Sequence, residues 1–298
     1  VPVAGSFGYV PRGPVVAAED EATARTIVQG LRQAARARRI RHLVVQPARH
    51  DHWLAARLPE WGLAPSALSV APTATVVVDL SPDVDELFAA LSKSTRRHIR
   101  RAEQAGVEVR PGSAADLPAF HALLASAGSR HGFQVYSLAY YEAVWDALHE
   151  AGNVGLYLAE YQDEVVSGHL VVPFGDVFLS KVSAWSGSHR DVYANEILEW
   201  RLIATAKEAG FRYYDLEGFD RASAESLQAG GEGPPDRSGD SFKLKFGGSV
   251  VLLPRAYDLI ASPVLRHTYG RAYRLLTSEG WPKHFLDRVR LGRSKEGS

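Results

Sequence analysis

Residues 72–111 read PTATVVVDLSPDVDELFAALSKSTRRHIRRAEQAGVEVRP, and this stretch decides the fold. An apolar run, Thr73 to Leu80, has strand composition. Ser81-Pro82-Asp83 then reads as a helix start, with Ser81 as N-cap, Pro82 at the first helical position and Asp83 and Asp85 at the positive end of the dipole. The spacing predicts a helix running to about Ala105, where Gly106 takes the left-handed C-terminal position before a second strand, VEVRP. Leu87, Phe88, Leu91, Thr95, Ile99 and Ala102 recur at helical spacing and make one buried face. Lys93, Arg96, Arg97, Arg100 and Arg101 recur on another, with no carboxylate between Lys93 and Arg101. Such a stripe repels itself unless an anion lies across it, which points to a phosphate-rich ligand; a solvated face, or one answered by carboxylates of a neighbouring lobe, is an equal reading.

Strand–helix–strand order here sets the class as α/β with mixed α+β sheets, and the rest of the chain extends it. Upstream, Glu21 to Ala37 is a helix and His42 to Gln46 a strand, following a Gly- and Pro-rich strand-and-loop segment from Val1 to Val16. Asp51 to Leu63 is a short helix and Pro65 to Pro72 a linker, so a first lobe covers residues 1–71. Downstream, Ser113 starts a helix with Asp116 as capping-box partner, and Leu138 to Glu150 is another. Gly155 to Tyr161, Val165 to Val172 and Val177 to Trp185 form a three-strand meander, followed by a helix from Asn195 to Ala209 and a strand from Phe211 to Leu216. Residues 219–240, containing GGEGPPDRSGD, read as a mobile loop, and Ser241 to Leu253 as a hairpin turning at Gly247-Gly248. A second lobe therefore covers residues 72–261, and residues 262–298 form a basic helical tail.

Composition narrows the chemistry. The chain has 298 residues, 46% of them hydrophobic, enough for two modest lobes with real cores. Formal net charge is zero, so a polyanion would be met by a local patch and not by the bulk field. No cysteine is present, which removes thiolate nucleophiles, disulfides and cysteine-ligated zinc. No apolar run approaches the roughly 18 residues of a spanning helix, and no secretory pattern opens the chain, so a cytoplasmic protein is expected.

Four strings carry a family resemblance: Tyr9-Val-Pro-Arg-Gly-Pro14, Thr95-Arg-Arg-His-Ile-Arg-Arg-Ala-Glu-Gln-Ala-Gly-Val107, Tyr214-Asp215 with Gly218, and Phe242-Lys-Leu-Lys-Phe-Gly-Gly248. Together with the β-β-β-α-β order they resemble the Fem family of aminoacyl-tRNA-dependent transferases, built from tandem GNAT-like acyltransferase lobes. The resemblance implies transfer of an amino acid from tRNA to an amine of a peptidoglycan precursor, without cofactor or metal, and peripheral contact at the inner face of the membrane. The family's first lobe begins before its Tyr-x-Pro-Arg-Gly-Pro string, which implies N-terminal strands preceding Val1. It also implies that Lys243, in the Phe242-Lys243 pair, is the cation near the developing charge. On spacing alone, Lys243 and Lys245 alternate along a strand and can equally point to solvent.

The remaining candidates each have two readings. Asp215 ends a strand, where it serves the site or caps the next loop. Tyr140 matches a family tyrosine near the precursor, or is core. Lys181, mid-strand, needs a phosphate or a carboxylate of its own sheet. His169 reads as a structural histidine. Tyr193 lies in Ser188-His-Arg-Asp-Val-Tyr-Ala-Asn195, the turn where a CoA-dependent relative would hold pyrophosphate on glycine-rich backbone; this turn lacks glycine and carries Asp191, which disfavours CoA. Relative to the family, Tyr136 stands for an arginine, Val16-Ala17 for an acidic residue, and Lys181 and Trp185 occupy a strand that favours tyrosines. These slots resemble the family's acceptor-binding positions, so a relative acting on a natural-product amine is an alternative. An acyl-CoA-dependent N-acyltransferase and a non-catalytic RNA-binding protein are the others.

Overall fold

The computed structural model describes residues 6–260 apart from 18, 67, 69 and 237; the expected basic tail lies outside the described residues. The chain divides into two compact units, Val1–Thr73 with Leu253–Ser298, and Ala74–Leu252. The division falls after Thr73 and not after Ala71, and residues 253–260, expected with the second lobe, return to the first unit.

The first unit begins with β1 (Ser6–Val10), α1 (Glu21–Ala37) and β2 (Ile40–Val45), a parallel pair joined by a helix. Asp20 caps α1 by accepting from the backbone N–H of Ala22 at 3.0 Å. α2 (His52–Arg57) follows, then a two-residue strand, β3 (Ala64–Pro65), where a linker was expected. The Tyr9 to Pro14 string is anchored by the fully buried Gln46, whose Oε1 accepts from the Tyr9 hydroxyl at 2.8 Å and whose carbonyl accepts from Gly13 N–H at 2.8 Å. That string therefore has a structural duty within its own unit.

The second unit starts with β4 (Ala74–Asp79). The helix expected after it is two helices, α3 (Val84–Ala90) and α4 (Lys93–Ala105). Asp83, and not Ser81, caps α3, in a capping box with Glu86. The break comes at Leu91-Ser92 because Ser92 turns extended and caps α4 through Thr95 N–H at 3.1 Å. Gly106 ends α4 at φ +82°, as the sequence indicates.

β5 (Glu108–Pro111), α5 (Leu117–His131) and α6 (Leu138–Leu148) lead into the meander β6 (Gly155–Tyr161), β7 (Glu164–Phe174) and β8 (Val177–Trp185). α7 (Ala194–Glu208), β9 (Tyr213–Asp215), α8 (Arg221–Gln228), α9 (Gly239–Lys243) and β10 (Ser249–Leu252) complete a seven-stranded sheet in the order β10-β4-β9-β8-β7-β6-β5. β11 (Tyr257–Ile260) then joins the first unit's sheet, ordered β1-β2-β11-β3.

Two expectations fail here. Residues 219–240 are not a featureless loop: Asp220 accepts from Ser223 N–H at 2.7 Å and starts α8, which buries Ala224. The Gly- and Pro-rich segment after it obscured this short helix. Residues 241–253 are not a hairpin: Ser238 caps α9 through Ser241 N–H at 3.0 Å, and Phe242 and Phe246 face one another at 5.0 Å with helical spacing. Only residues after Gly248 form a strand, paired with β4.

One core, built from α3, α4, α7 and α8, covers one side of the large sheet, and a second, from α5 and α6, covers the other. Gly168 on β7 lets α5 approach: a Cβ there would stand 2.8 Å from Phe120 Cδ2, on a fully buried ring. Gly168→Ala is expected to lower stability by about 1–3 kcal/mol through overpacking. The check is a urea titration; an unchanged midpoint would show that Phe120 yields freely.

Candidate active site

In the large sheet β8 and β9 run parallel, and their ladder covers only Val177 to Leu179 against Tyr213 to Asp215. β8 continues to Trp185 paired with β7, while the chain after β9 follows β4 instead: Leu216 N–H donates to Val76 O and Phe219 N–H to Ala74 O. The two strands thus part beyond Leu179 and Asp215. A gap opens between them at the carboxyl ends of parallel strands, the usual place for a ligand in such sheets.

Lys243 reaches this gap from α9. Its ammonium donates to the carbonyls of Glu217 and Gly218, with its third N–H uncommitted among the described residues. Burial pulls its pKa below the ordinary lysine value, opposed by the carboxylates of Asp240, Glu199, Asp215 and Glu217. Glu217 itself sits at φ +31°, a conformation that side chains other than glycine rarely hold without compensation. Asp215 supplies part of it: its Oδ1 accepts from Glu217 N–H at 3.0 Å and from the Thr75 hydroxyl. At 2% exposure, Asp215 is a brace for the turn carrying Glu217 and Gly218.

Lys181 is the extra residue of a β-bulge, since Leu170 pairs with Val182 and Val171 with Ser180. Its Nζ lies 2.7 Å from Glu217 Oε1, and its side chain is 45% exposed. The partner that the sequence required is thus the carboxylate. Behind the gap lies a buried polar network: Tyr214 Oη donates to Glu199 Oε1 at 2.5 Å, and His169 Nδ1 and Ser180 Oγ are 3.0 Å apart. Burial holds His169 below its usual pKa, and Tyr214 is pushed well up by burial and the neighbouring Glu199 carboxylate. His169 is accordingly structural.

The other sequence candidates divide. Phe242 is half-buried and packs on the main core. Tyr136 and Tyr140 are exposed and stacked at 4.2 Å, Tyr140 on α6 and Tyr136 just before it, on the side of the second core. Tyr193 stacks on His98 at 3.8 Å, with Arg101 over its ring at 5.5 Å. The cation stripe is partly spent within the fold. Arg96 donates to the carbonyls of Ala89 and Leu91 and so closes the end of α3, and Arg100 lies 5.5 Å from the Phe88 ring. Lys93 and Arg97 are exposed and without a partner among the described residues.

Sequence reasoning missed Glu217. Its neighbours in Tyr214-Asp-Leu-Glu-Gly218 drew notice, but its positive φ and its pairing with Lys181, 36 positions away, leave no local signal.

A model of the acetyltransferase (GNAT) domain matches residues 89–223, the meander and its flanking helices. The fold and this match make the second unit a GNAT acyltransferase domain. The chain is similar in sequence to lipid II:glycine glycyltransferase of Staphylococcus epidermidis, 29% identical over 97 residues, 33% of this chain and 23% of that protein. The chain thus matches less than a quarter of that relative's length. Among solved structures, FemX superposes with a TM-score of 0.72 at 19% identity over 88% of this chain and 82% of its own. A tandem GNAT protein from the clavulanic acid biosynthesis pathway gives 0.54 at 12% identity over 86% and 76%. These two likenesses speak to fold. No helix among the described residues is long and apolar enough to cross a membrane.

Proposed function

We propose that this protein is an aminoacyltransferase that moves an amino acid from aminoacyl-tRNA to an amine of a peptidoglycan precursor, lipid II or its nucleotide-linked form. The observation that carries the reading is the Lys243 ammonium, fixed by two carbonyls at the β8–β9 gap with one donor left over. An aminoacyl ester is already activated, so no covalent enzyme intermediate is needed. The acceptor nitrogen adds to the ester carbonyl carbon, the carbonyl oxygen gains charge beside Lys243, and collapse forms the amide and expels the ribose oxygen with the amine's proton. The glycyltransferase relatives support a precursor amine as acceptor.

The helix N-terminus that would hold a CoA pyrophosphate is already engaged. Glu196 in the first turn of α7 lies 3.2 Å from His98 Nδ1, and Tyr193 stacks over that same imidazole. A carboxylate in the first turn opposes a bound pyrophosphate. Acetyl-CoA is therefore not the favoured donor.

The test offers total tRNA charged with radiolabelled amino acids to lipid II and to the nucleotide-linked precursor. Label on either acceptor supports the reading and names the donor; no transfer to either overturns it. On the tRNA side, Lys93→Glu with Arg97→Glu is expected to weaken tRNA binding by about tenfold and to reduce its salt slope by about two. The fold should be unaffected, whereas Arg96→Glu should lower stability by removing the closure of α3. A filter-binding salt titration checks this, and an unchanged slope would detach the stripe from tRNA.

A further inference from the structure

Glu217 is the least explained group at the gap. Its side chain is 11% exposed, Oε1 is paired with Lys181, and Oε2 is buried with no hydrogen-bond partner. A buried carboxylate oxygen without a donor is rare and costly unless a ligand supplies one. The backbone presents it at φ +31°, held by Lys243 on its carbonyl and by Asp215 on its N–H. Local charge agrees. Four carboxylates, Asp240, Glu199, Asp215 and Glu217, act on Lys243, while the ammonium groups facing them are those of Lys243 and Lys181. Burial lowers the pKa of His169, which lies beside Glu199, so it is a poor source of compensating positive charge. The gap therefore carries surplus negative charge beside the cation expected to meet the ester carbonyl.

We propose that Glu217 is a specificity-determining residue that receives a substrate ammonium group at Oε2. This rests on the aminoacyltransferase reading. The ammonium has two possible sources, the α-ammonium of the donor amino acid, one carbon from the ester carbonyl, or the acceptor amine in its protonated resting form. Lys181 neutralises the other oxygen and fixes the carboxylate plane. The two paired groups stand at a bulge, Lys181, and at a positive φ, Glu217.

Binding is read without turnover, by calorimetry on the whole chain. A stable donor mimic, 3′-aminoacylamino-3′-deoxyadenosine, is compared with its N-acetyl form, and a stem peptide with a free lysine side chain with its Nε-acetyl form. Each pair is measured on the wild type and on Glu217→Gln, and Lys181→Ala controls for disturbance of the pair. The wild type is expected to prefer the free amine of one pair by about tenfold or more, and Glu217→Gln to bring that ratio to within about twofold of unity. Lys181→Ala should keep the preference. The pair that responds identifies the source. A ratio unchanged in Glu217→Gln, or no preference in the wild type for either pair, overturns the proposal. If charged tRNA gives transfer in the separate assay while these ratios do not move, this inference alone fails; if no transfer occurs, the functional reading fails on its own evidence.

Discussion

Lys243→Ala is expected to lower kcat by about 10²–10³-fold, the loss seen when one preorganised oxyanion donor is removed, or about 2.7–4 kcal/mol of transition-state stabilisation. The geometry says why the effect should fall on kcat. Two of the ammonium's donors are fixed on the Glu217 and Gly218 carbonyls, so the third is aimed before substrate arrives and needs no reorganisation during reaction. Lys243→Arg should not restore activity, because a planar fork cannot satisfy two adjacent carbonyls and still present a point charge to a third oxygen. The pH profile adds a sign. Burial holds Lys243 below the ordinary value of 10.5, so the charged form, and with it the rate, is lost as pH rises through the folded-state pKa, earlier than for a free lysine. Stability moves the other way. Between the folded and unfolded pKa values the unfolded chain binds more protons, so rising pH stabilises the fold there. Steady-state kinetics across the alkaline range check both claims. A variant with unchanged kcat would show that Lys243 only braces the Glu217 turn.

How much of this was legible in the sequence depended on how local each signal is. The meander, the Gly106 cap, the Ser113–Asp116 box and helix α1 are set by neighbours within a few residues, and each is found. The α3–α4 break is local too, but Ser92 competes with an uninterrupted apolar period, and the period alone hides it. The family string points to Lys243 although the local pattern points to the wrong secondary structure. KLKF alternates like a strand, yet the capping serine at position 238 and the Phe242–Phe246 pair make it helical. The cation stripe misled in the opposite direction. Its spacing is real, but Arg96, Arg100 and Arg101 are held by carbonyls and aromatic rings that lie off the stripe. Glu217 shows the limit of pattern reading, since a bulge on one strand and a left-handed turn after another create the site, and neither is written in residue spacing.

The network behind the gap should govern stability as strongly as Lys243 governs rate. Glu199→Ala is expected to cost about 3 kcal/mol, because it leaves the Tyr214 hydroxyl, on a fully buried side chain, without its acceptor and opens a cavity under β7 and β9. Glu199→Gln keeps an acceptor for Tyr214 and should cost nearer 1 kcal/mol. The Tyr214 phenol, pushed well above its usual pKa, remains the donor throughout the working range. pH separates this account from simple loss of packing. His169 is depressed by burial, so below its unfolded value of 6.5 the unfolded chain takes up a proton that the folded chain refuses, and stability falls as pH falls. Glu199 counters that depression by attracting the imidazolium, with its Oε2 3.7 Å from His169 Nε2. Removing the carboxylate should therefore depress His169 further and steepen the acid limb, while an equal-sized cavity made elsewhere would only shift the curve down. Urea midpoints for the wild type and both variants between about pH 5 and 8 decide the matter. Parallel curves would mean that Glu199 acts through volume alone; diverging acid limbs would show that its carboxylate, besides accepting from Tyr214, partly offsets the burial that depresses His169.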